Sequence, residues 1–363
     1  MRILFVSDAP ISLEAGNASR MFNISRSFFQ HGFDIRVIPI REDLSRFLSG
    51  RGRFPTYLRR VLLFFYMMYR LRREKTDLIY SIEFYIGLEA ALLSVFFKVR
   101  TIYDFGGYIH QEEIHRGHRF KPVLTRCLER TCLRRSDILI TQTASNQQAL
   151  KEFRKKVFVI ENGVDLDLMA SLSAARSEPI ESMNSLRRPI VGFIGNWENW
   201  MNIEDLIDVP SHLENASIVI VGQGKTLEGY KKRYPGVLFT GRLPHRKTMA
   251  LLLDFDICVS PYSPDAIMKY KQAMKTVEYL AAGKPILMSR VEGRESFLRE
   301  GENCLTYNPG SSSDLARGIR EIWDDPVLRE RMGRNNLALA KEFTWKKTLE
   351  RSGLIEALYE GIE

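Results

Sequence analysis

The chain has 363 residues, too many for one ordinary core and enough for two domains of roughly 100–200 residues each. Apolar residues make up 45% and charged residues 27%, the balance of a globular chain. Four cysteines, Cys127, Cys132, Cys258 and Cys304, include no C-x2-C pair and stand near no His cluster, which argues against zinc and disulfides and for reduced thiols in a cytosolic protein.

The net charge of +9 is unevenly spread. Residues 1–165 hold 27 Lys and Arg against 17 Asp and Glu, a net +10, and the rest hold 26 against 27, a net −1. The basic half suits an anionic partner: a lipid surface, a phosphorylated acceptor or nucleic acid.

In chain order, the opening Met1-Arg2-Ile3-Leu4-Phe5-Val6 lacks the regions of a signal peptide and reads as a strand. Further strands are expected at Asp34–Ile40, Leu78–Ile82, Arg100–Phe105, Ile138–Thr143 and Val157–Glu161, with helices near 17–30, 56–73, 84–97, 120–135 and 144–153. Near-continuous Val/Ile/Leu runs suit strands buried on both faces, and alternation with helices predicts a doubly wound parallel sheet. Residues 166–188 lose this periodicity and read as an interdomain connection. The rhythm restarts with strands at Pro189–Gly195, Ser217–Val221, Val237–Thr240, Ile257–Ser260, Pro285–Ser289 and Cys304–Tyr307. Helices near 311–324, 326–342 and 346–361 close the chain. The expected organisation is an N-terminal Rossmann-like domain over 1–165, a C-terminal one over 166–345, and a last helix, 346–363, returning toward the first domain. Two such halves facing a central cleft place a ligand at the strand carboxyl ends.

Glycine-rich turns stand at matching points of both halves. Gly16-Asn17-Ala18-Ser19-Arg20 opens a helix, where free N–H groups can meet a phosphate or a sugar hydroxyl. Gly195-Asn196 and Gly222-Gln223-Gly224 end strands of the second half. Each turn alone is also what an ordinary strand–helix junction needs. Neither a Walker A sequence nor a G-x-G-x-x-G fingerprint occurs, which disfavours P-loop and dinucleotide enzymes. Residues 269–285, KYKQAMKTVEYLAAGKP, predict a helix ended by Gly283 with Pro285 entering the next strand. On it Lys271, Lys275 and Glu278 share a face, either as a solvated charged stripe or as cations for a diphosphate and a carboxylate for a ribose diol.

The stretch Thr276-Val277-Glu278-Tyr279-Leu280-Ala281-Ala282-Gly283-Lys284-Pro285-Ile286 resembles the donor-site helix of glycosyltransferase family 4. Four further stretches resemble the family in its own order. They are Val159-Ile160-Glu161-Asn162-Gly163-Val164-Asp165, Phe239-Thr240-Gly241-Arg242-Leu243-Pro244, Glu300-Gly301-Glu302-Asn303-Cys304-Leu305 and Phe343-Thr344-Trp345. The resemblance implies a GT-B fold, two Rossmann-like doubly wound domains facing a central cleft. It further implies a retaining, metal-independent transfer from a nucleotide sugar to a hydroxyl of a glycan or lipid-linked acceptor. Glu278 would hold the ribose, Lys271 and Lys275 the diphosphate, and Arg242 and Leu243 would border the base. Gly16, Asn17, Gly195, Asn196 and Gln223 would line the donor. Asp104 and His110, at a strand end where the family often carries a His, join Lys271 as candidate catalytic groups, and the Tyr262–Tyr270 loop would meet the sugar.

The sequence also departs from the family. The first acid of the common E-x7-E pattern falls at Tyr270, and Asn196-Trp197-Glu198 replaces the usual basic residues. The lost first acid keeps open a non-catalytic nucleotide-sugar-binding partner protein at the membrane, and a nucleotide-sugar epimerase stays open as a second enzyme class on the same architecture, though no residue demands it. Asp165-Leu166-Asp167 and Asp254-Phe255-Asp256 match the short D-x-D metal pattern, but no metal ligand and no cofactor is expected from them. The Arg-flanked apolar run 59–73 is too short to span a bilayer. It is either a core helix or one lying in a headgroup layer, so the expected location is cytoplasmic, with peripheral attachment to the inner face of the cell membrane under the second reading. Nucleic acid is not an expected partner, because no recognition motif accompanies the charge.

Overall fold

The computed structural model describes residues 1–7, 16–39, 56–115, 117–175, 183, 185–197, 201–264, 272–291 and 295–361. They form two compact units, Met1–Glu161 with Thr348–Glu363, and Asn162–Lys347.

The first unit is built on six parallel strands: β1 (Arg2–Ser7), β2 (Asp34–Pro39), β3 (Leu78–Ser81), β4 (Arg100–Phe105), β5 (Ile138–Thr141) and β6 (Lys156–Val159). Their order is β2-β1-β3-β4-β5-β6, so the direction of winding reverses at the β1–β3 pair. Every residue of β3 and β5 is buried, the two-faced burial that their unbroken apolar sequences predict. Phe5 of β1 stacks on Tyr80 of β3 with ring centroids 4.5 Å apart, and Phe28 of the helix Gly16–Gln30 meets both edge-on. The helix Thr56–Arg73 lays Leu63, Met67 and Leu71, four residues apart, on the core formed by Leu4, Val6 and Ile79. The last helix expected from sequence is two, Trp345–Arg351 and Leu354–Glu360, because Gly353 adopts a left-handed conformation between them. Leu354 and Leu358 are buried, and Tyr359 packs on Phe33 at 5.1 Å.

The second unit repeats the plan with β7 (Ile190–Ile194), β8 (Ser217–Val221), β9 (Val237–Gly241), β10 (Ile257–Ser260), β11 (Ile286–Ser289) and β12 (Cys304–Tyr307), all parallel. The order β12-β11-β10-β7-β8-β9 puts its switch point between β10 and β7. The stretch beginning at 166, expected to be a connection, starts instead with the helix Leu166–Ala174. Asp165 caps it, its carboxylate accepting the Leu168 N–H at 2.9 Å, and Leu166, Met169 and Leu172 turn inward. The Ser and Ala residues between them hid that spacing.

Cys132, Cys258 and Cys304 are buried, and Cys127 is exposed. No described helix is long and apolar enough to cross a membrane, and no cluster of three potential metal-ligating side chains occurs among the described residues.

Candidate functional site

In a doubly wound sheet a ligand sits beyond the strand carboxyl ends at the switch point. In the second unit those ends belong to β7 and β10. The β7 and β8 strands run out into Gly195 and Gly222, both with positive φ, 126° and 138°. Gly195 N–H donates to Val221 O at 2.9 Å, and Gly222 N–H to Gly241 O at 3.0 Å, so the turns are laced together. A Cβ on Gly222 would stand 2.0 Å from Gly195 O. No other residue fits at Gly222, which is buried, and the neighbouring turn at Gly195 is exposed as bare backbone.

The helix Met274–Ala281 supplies the charged groups. Lys275 is buried, and its Nζ lies 3.8 Å from where a Cβ on Gly195 would be. The ammonium stands 4.3 Å from the centre of the Phe193 ring and 5.4 Å from that of Tyr262. Burial lowers its pKa to about 7, against the pull of Glu295 and Glu278. Among the described residues no carboxylate comes within 4.0 Å of it, so this buried cation has aromatic faces in place of a counter-ion. Glu295 is itself buried, which raises its pKa, and it accepts from Thr276 Oγ1 at 2.7 Å. Glu278, one helical turn from Lys275, is 9% exposed. Its Oε1 lies 3.0 Å from His245 Nε2, at the start of the helix His245–Leu252.

Two of the sequence stretches that resemble the family prove to be neighbours in space. Asn162 N–H donates to Gln272 Oε1 and Asn162 Nδ2 to Gln272 O at 2.8 Å, fixing the approach to the Lys275 helix. Val164 N–H donates to Phe343 O at 2.8 Å, and Gly163 lies so close to Trp345 that a Cβ would meet its backbone N at 2.6 Å.

Lys275, Glu278 and Gly195 are thus brought together, with Asn196 exposed beside them. Gln223 is also exposed, and its carbonyl accepts the Trp197 N–H at 3.1 Å. Arg242 is exposed after β9, and Leu243 packs on the core. Lys271 and Tyr270 lie outside the described residues, as do residues 265–269 of the expected sugar loop; Tyr262, at that loop's start, is buried. The helix begins at Met274, so the expected common face holds for Lys275 and Glu278. Gly16 and Asn17 open the helix Gly16–Gln30. The D-x-D pairs are occupied elsewhere: Asp165 is a cap, and Asp256 accepts the Ile190 N–H at 2.7 Å.

In the first unit, Asp104 at the end of β4 is fully buried. Its Oδ2 accepts from Arg20 Nε at 2.8 Å and from Tyr80 Oη at 2.6 Å, and its Oδ1 from Arg20 at 3.1 Å. Arg20 continues to Ile160 O at 2.8 Å. Burial opposes the guanidinium charge, but Asp104 and Tyr80 outweigh it, and the Arg20 pKa is raised. His110 is partly exposed, with Nδ1 2.5 Å from Glu129 Oε2. Burial raises the Glu129 pKa in spite of that bond. The sequence offered no sign of His245, Glu295 or Glu129. None stands in a recognised motif, and each is found by packing from a distant element.

Two doubly wound parallel sheets, the second with a buried lysine and a carboxylate on the helix after its switch point, are the architecture of the GT-B fold class. Residues 16–168 match the family described as Glycosyltransferase Family 4, and residues 188–325 that described as Glycosyl transferases group 1. The chain belongs to glycosyltransferase family 4. An uncharacterised glycosyltransferase of Methanocaldococcus jannaschii is 26% identical over 205 residues, which are 54% of this chain and about half, 51%, of that protein. The structure of sucrose-phosphate synthase from Thermosynechococcus elongatus superposes with a TM-score of 0.79 at 17% identity, covering 99% of each chain. Anabaena HepE in complex with UDP-glucose superposes with a TM-score of 0.74 at 17% identity, covering 99% of this chain and 100% of that one. At these identities the structural likeness speaks for the fold.

Proposed function

We propose that this protein transfers a glycosyl unit from a nucleotide sugar to a hydroxyl of a glycan or lipid-linked acceptor, with retention of anomeric configuration and without a metal ion. The observation that carries the reading is the pairing, on one helix beyond the switch point, of a buried lysine that lacks a counter-ion among the described residues and a carboxylate one turn away. A nucleotide sugar offers a complement to each. Its diphosphate would neutralise Lys275, and its ribose diol would donate two hydrogen bonds to Glu278.

When the bond between sugar and diphosphate breaks, negative charge grows on the leaving phosphate. Lys275, desolvated over Phe193 and set beside the exposed backbone of Gly195, is pre-positioned to stabilise that charge. Lys271 would add a second cation. Arg242 and Leu243 would border the base, and Asn196, Gln223, Gly16 and Asn17 would contribute the remaining polar contacts. In the first unit, Asp104 would act as an organiser, since its oxygens already serve Arg20 and Tyr80. His110, its Nδ1 held by Glu129, would turn its other nitrogen to the reacting sugar or acceptor. The complex of Anabaena HepE with UDP-glucose, a protein of the same fold, supports uridine nucleotides as the first donors to try.

The test is a panel of UDP-, GDP- and ADP-sugars assayed for hydrolysis and for transfer to glycan and lipid-linked acceptors, with and without EDTA. Transfer that survives chelation is expected. Interconversion of the sugar with no acceptor would favour an epimerase. Binding of a nucleotide sugar with no turnover would favour a non-catalytic partner protein.

A further inference from the structure

His245 opens the helix His245–Leu252, four residues after β9. Its ring is largely enclosed, and its Nε2 lies 3.0 Å from Glu278 Oε1. The other ring nitrogen, Nδ1, is buried and has no hydrogen-bond partner among the described residues. Glu278 Oε2 likewise has none among them.

We propose that His245 is the positioning residue of the ribose-binding carboxylate. It anchors Oε1, so that Oε2 and the outer lone pairs of Glu278 are presented to the ribose hydroxyls in one orientation. This rests on the reading of Glu278 given above.

The chemistry allows one polarity for the contact. Glu278 accepts only, so Nε2 must carry the proton. The neutral ring with Nε2–H and the imidazolium both meet that requirement; the tautomer protonated on Nδ1 alone would set a lone pair against the carboxylate. His245 therefore donates to Glu278 whichever of the two forms prevails. A Glu side chain has three rotatable bonds, and a diol that must donate two bonds to it gains from finding the carboxylate already oriented. The helix bearing Glu278 fixes its Cα; the contact to His245, reaching in from another helix, fixes its far end.

The test measures binding of nucleoside diphosphates to the full chain by calorimetry. The probe is the tightest binder among UDP, GDP and ADP, together with its 2′,3′-dideoxy analogue, which keeps base and diphosphate and lacks the diol. Wild type is expected to prefer the ribonucleotide, and Glu278→Gln to lose most of that preference. His245→Leu should cut the preference about tenfold, as loss of one hydrogen bond to a charged group implies, and leave affinity for the dideoxy analogue unchanged. His245→Gln, whose amide nitrogen reaches where Nε2 lies, should retain the preference; His245→Asn, whose amide falls short, should behave as Leu. The Gln and Asn pair keeps the test decisive even where Leu impairs folding.

Several outcomes overturn the proposal. If His245→Leu and His245→Asn keep the full preference while Glu278→Gln loses it, Glu278 binds ribose without His245. An equal loss for both nucleotides means that His245 merely supports the fold. If Glu278→Gln also keeps the preference, the reading of Glu278 falls, and this inference with it.

Discussion

A lysine ammonium buried against aromatic rings gives up most of its hydration, and the Lys275 pKa falls to about 7 for that reason. In the unfolded chain it titrates near its ordinary 10.5. Between these values the unfolded state binds more protons, so the second unit should become more stable as pH rises from about 7 toward 10.5, and Lys275→Met should flatten that rise in urea unfolding. The ligand reverses the preference, because a diphosphate favours the charged form. Binding of a nucleotide sugar at pH 8 should therefore take up a proton, and affinity should fall as pH rises above about 7. Calorimetry in buffers of differing ionisation enthalpy reads that uptake; persistence in Lys275→Met would assign it elsewhere. Glu278→Gln keeps shape and removes charge, and should weaken nucleotide binding by about 1.5–3 kcal/mol, the range for hydrogen bonds to a charged group. In the first unit, Asp104→Ala would strand the Arg20 guanidinium in the core and should cost about 3–5 kcal/mol in unfolding free energy. Lys275 and Glu278 were legible in the sequence because helical spacing unites them. His245 and Glu295 were not, because 33 residues separate His245 from Glu278 and 19 separate Glu295 from Thr276. Only the winding of the sheet brings such pairs together.

Elements follow the apolar pattern closely where strands are buried on both faces, since a run such as Ile190-Val191-Gly192-Phe193-Ile194 has few alternatives to a central strand. Short helices at the sheet margins were harder. Ile109–His115 and Ile203–Ile207 are single-turn to two-turn pieces whose few apolar positions carry little periodicity. The helix Leu166–Ala174 was missed although Asp165 signals its start, because the surrounding Ser and Ala residues read as a linker. Glycines punctuate the elements, and two of them predict opposite responses to alanine. Gly229 lies in the helix Leu227–Arg233, where a Cβ would meet nothing within 4 Å. Gly229→Ala should stabilise the second unit by about 0.5–1 kcal/mol, the helix-propensity gain. Gly222→Ala would press a Cβ onto Gly195 O in a backbone region that L residues avoid, and should destabilise the same unit and displace the Gly195 turn. Urea midpoints of the two variants should move in opposite directions from wild type. A tolerated Gly222→Ala would mean that the laced turns are softer than their geometry indicates.

The charge asymmetry belongs to the whole molecule: net +10 over residues 1–165 and −1 over the rest. We propose that the basic half docks on anionic membrane, where a lipid-linked acceptor would lie. The helix Thr56–Arg73 shows both properties the sequence left open. Leu63, Met67 and Leu71 face the core, while Val61, Phe65 and Tyr69 are exposed. Part of its basic charge is already engaged, since Arg70 pairs with Glu74 at 2.7 Å and Arg60 lies 3.7 Å from Glu89. Arg72 and Arg73 are exposed at its end. A second exposed apolar pair lies further along the unit, at the start of the helix Lys121–Arg135: Phe120 is 88% exposed and Val123 73%, with Arg119 and Lys121 exposed beside Phe120. Apolar insertion flanked by cations is the combination that binds a headgroup layer, each basic residue near the surface adding about 1 kcal/mol. Co-sedimentation with vesicles containing phosphatidylglycerol should retain the wild-type protein at low salt and release it at high salt, because ions screen the attraction over about 8 Å at physiological strength. Two sets of substitutions then separate the surfaces. Phe65→Ser with Tyr69→Ser, together with Arg72→Gln and Arg73→Gln, removes the helix that the sequence pointed to. Phe120→Ser with Val123→Ser removes the more exposed group. Neither set touches the second unit, so nucleotide affinity should hold while vesicle binding drops. A wild-type protein that stays in the supernatant with anionic vesicles at low salt would end the membrane reading, and the basic half would then be better matched to a soluble phosphorylated acceptor.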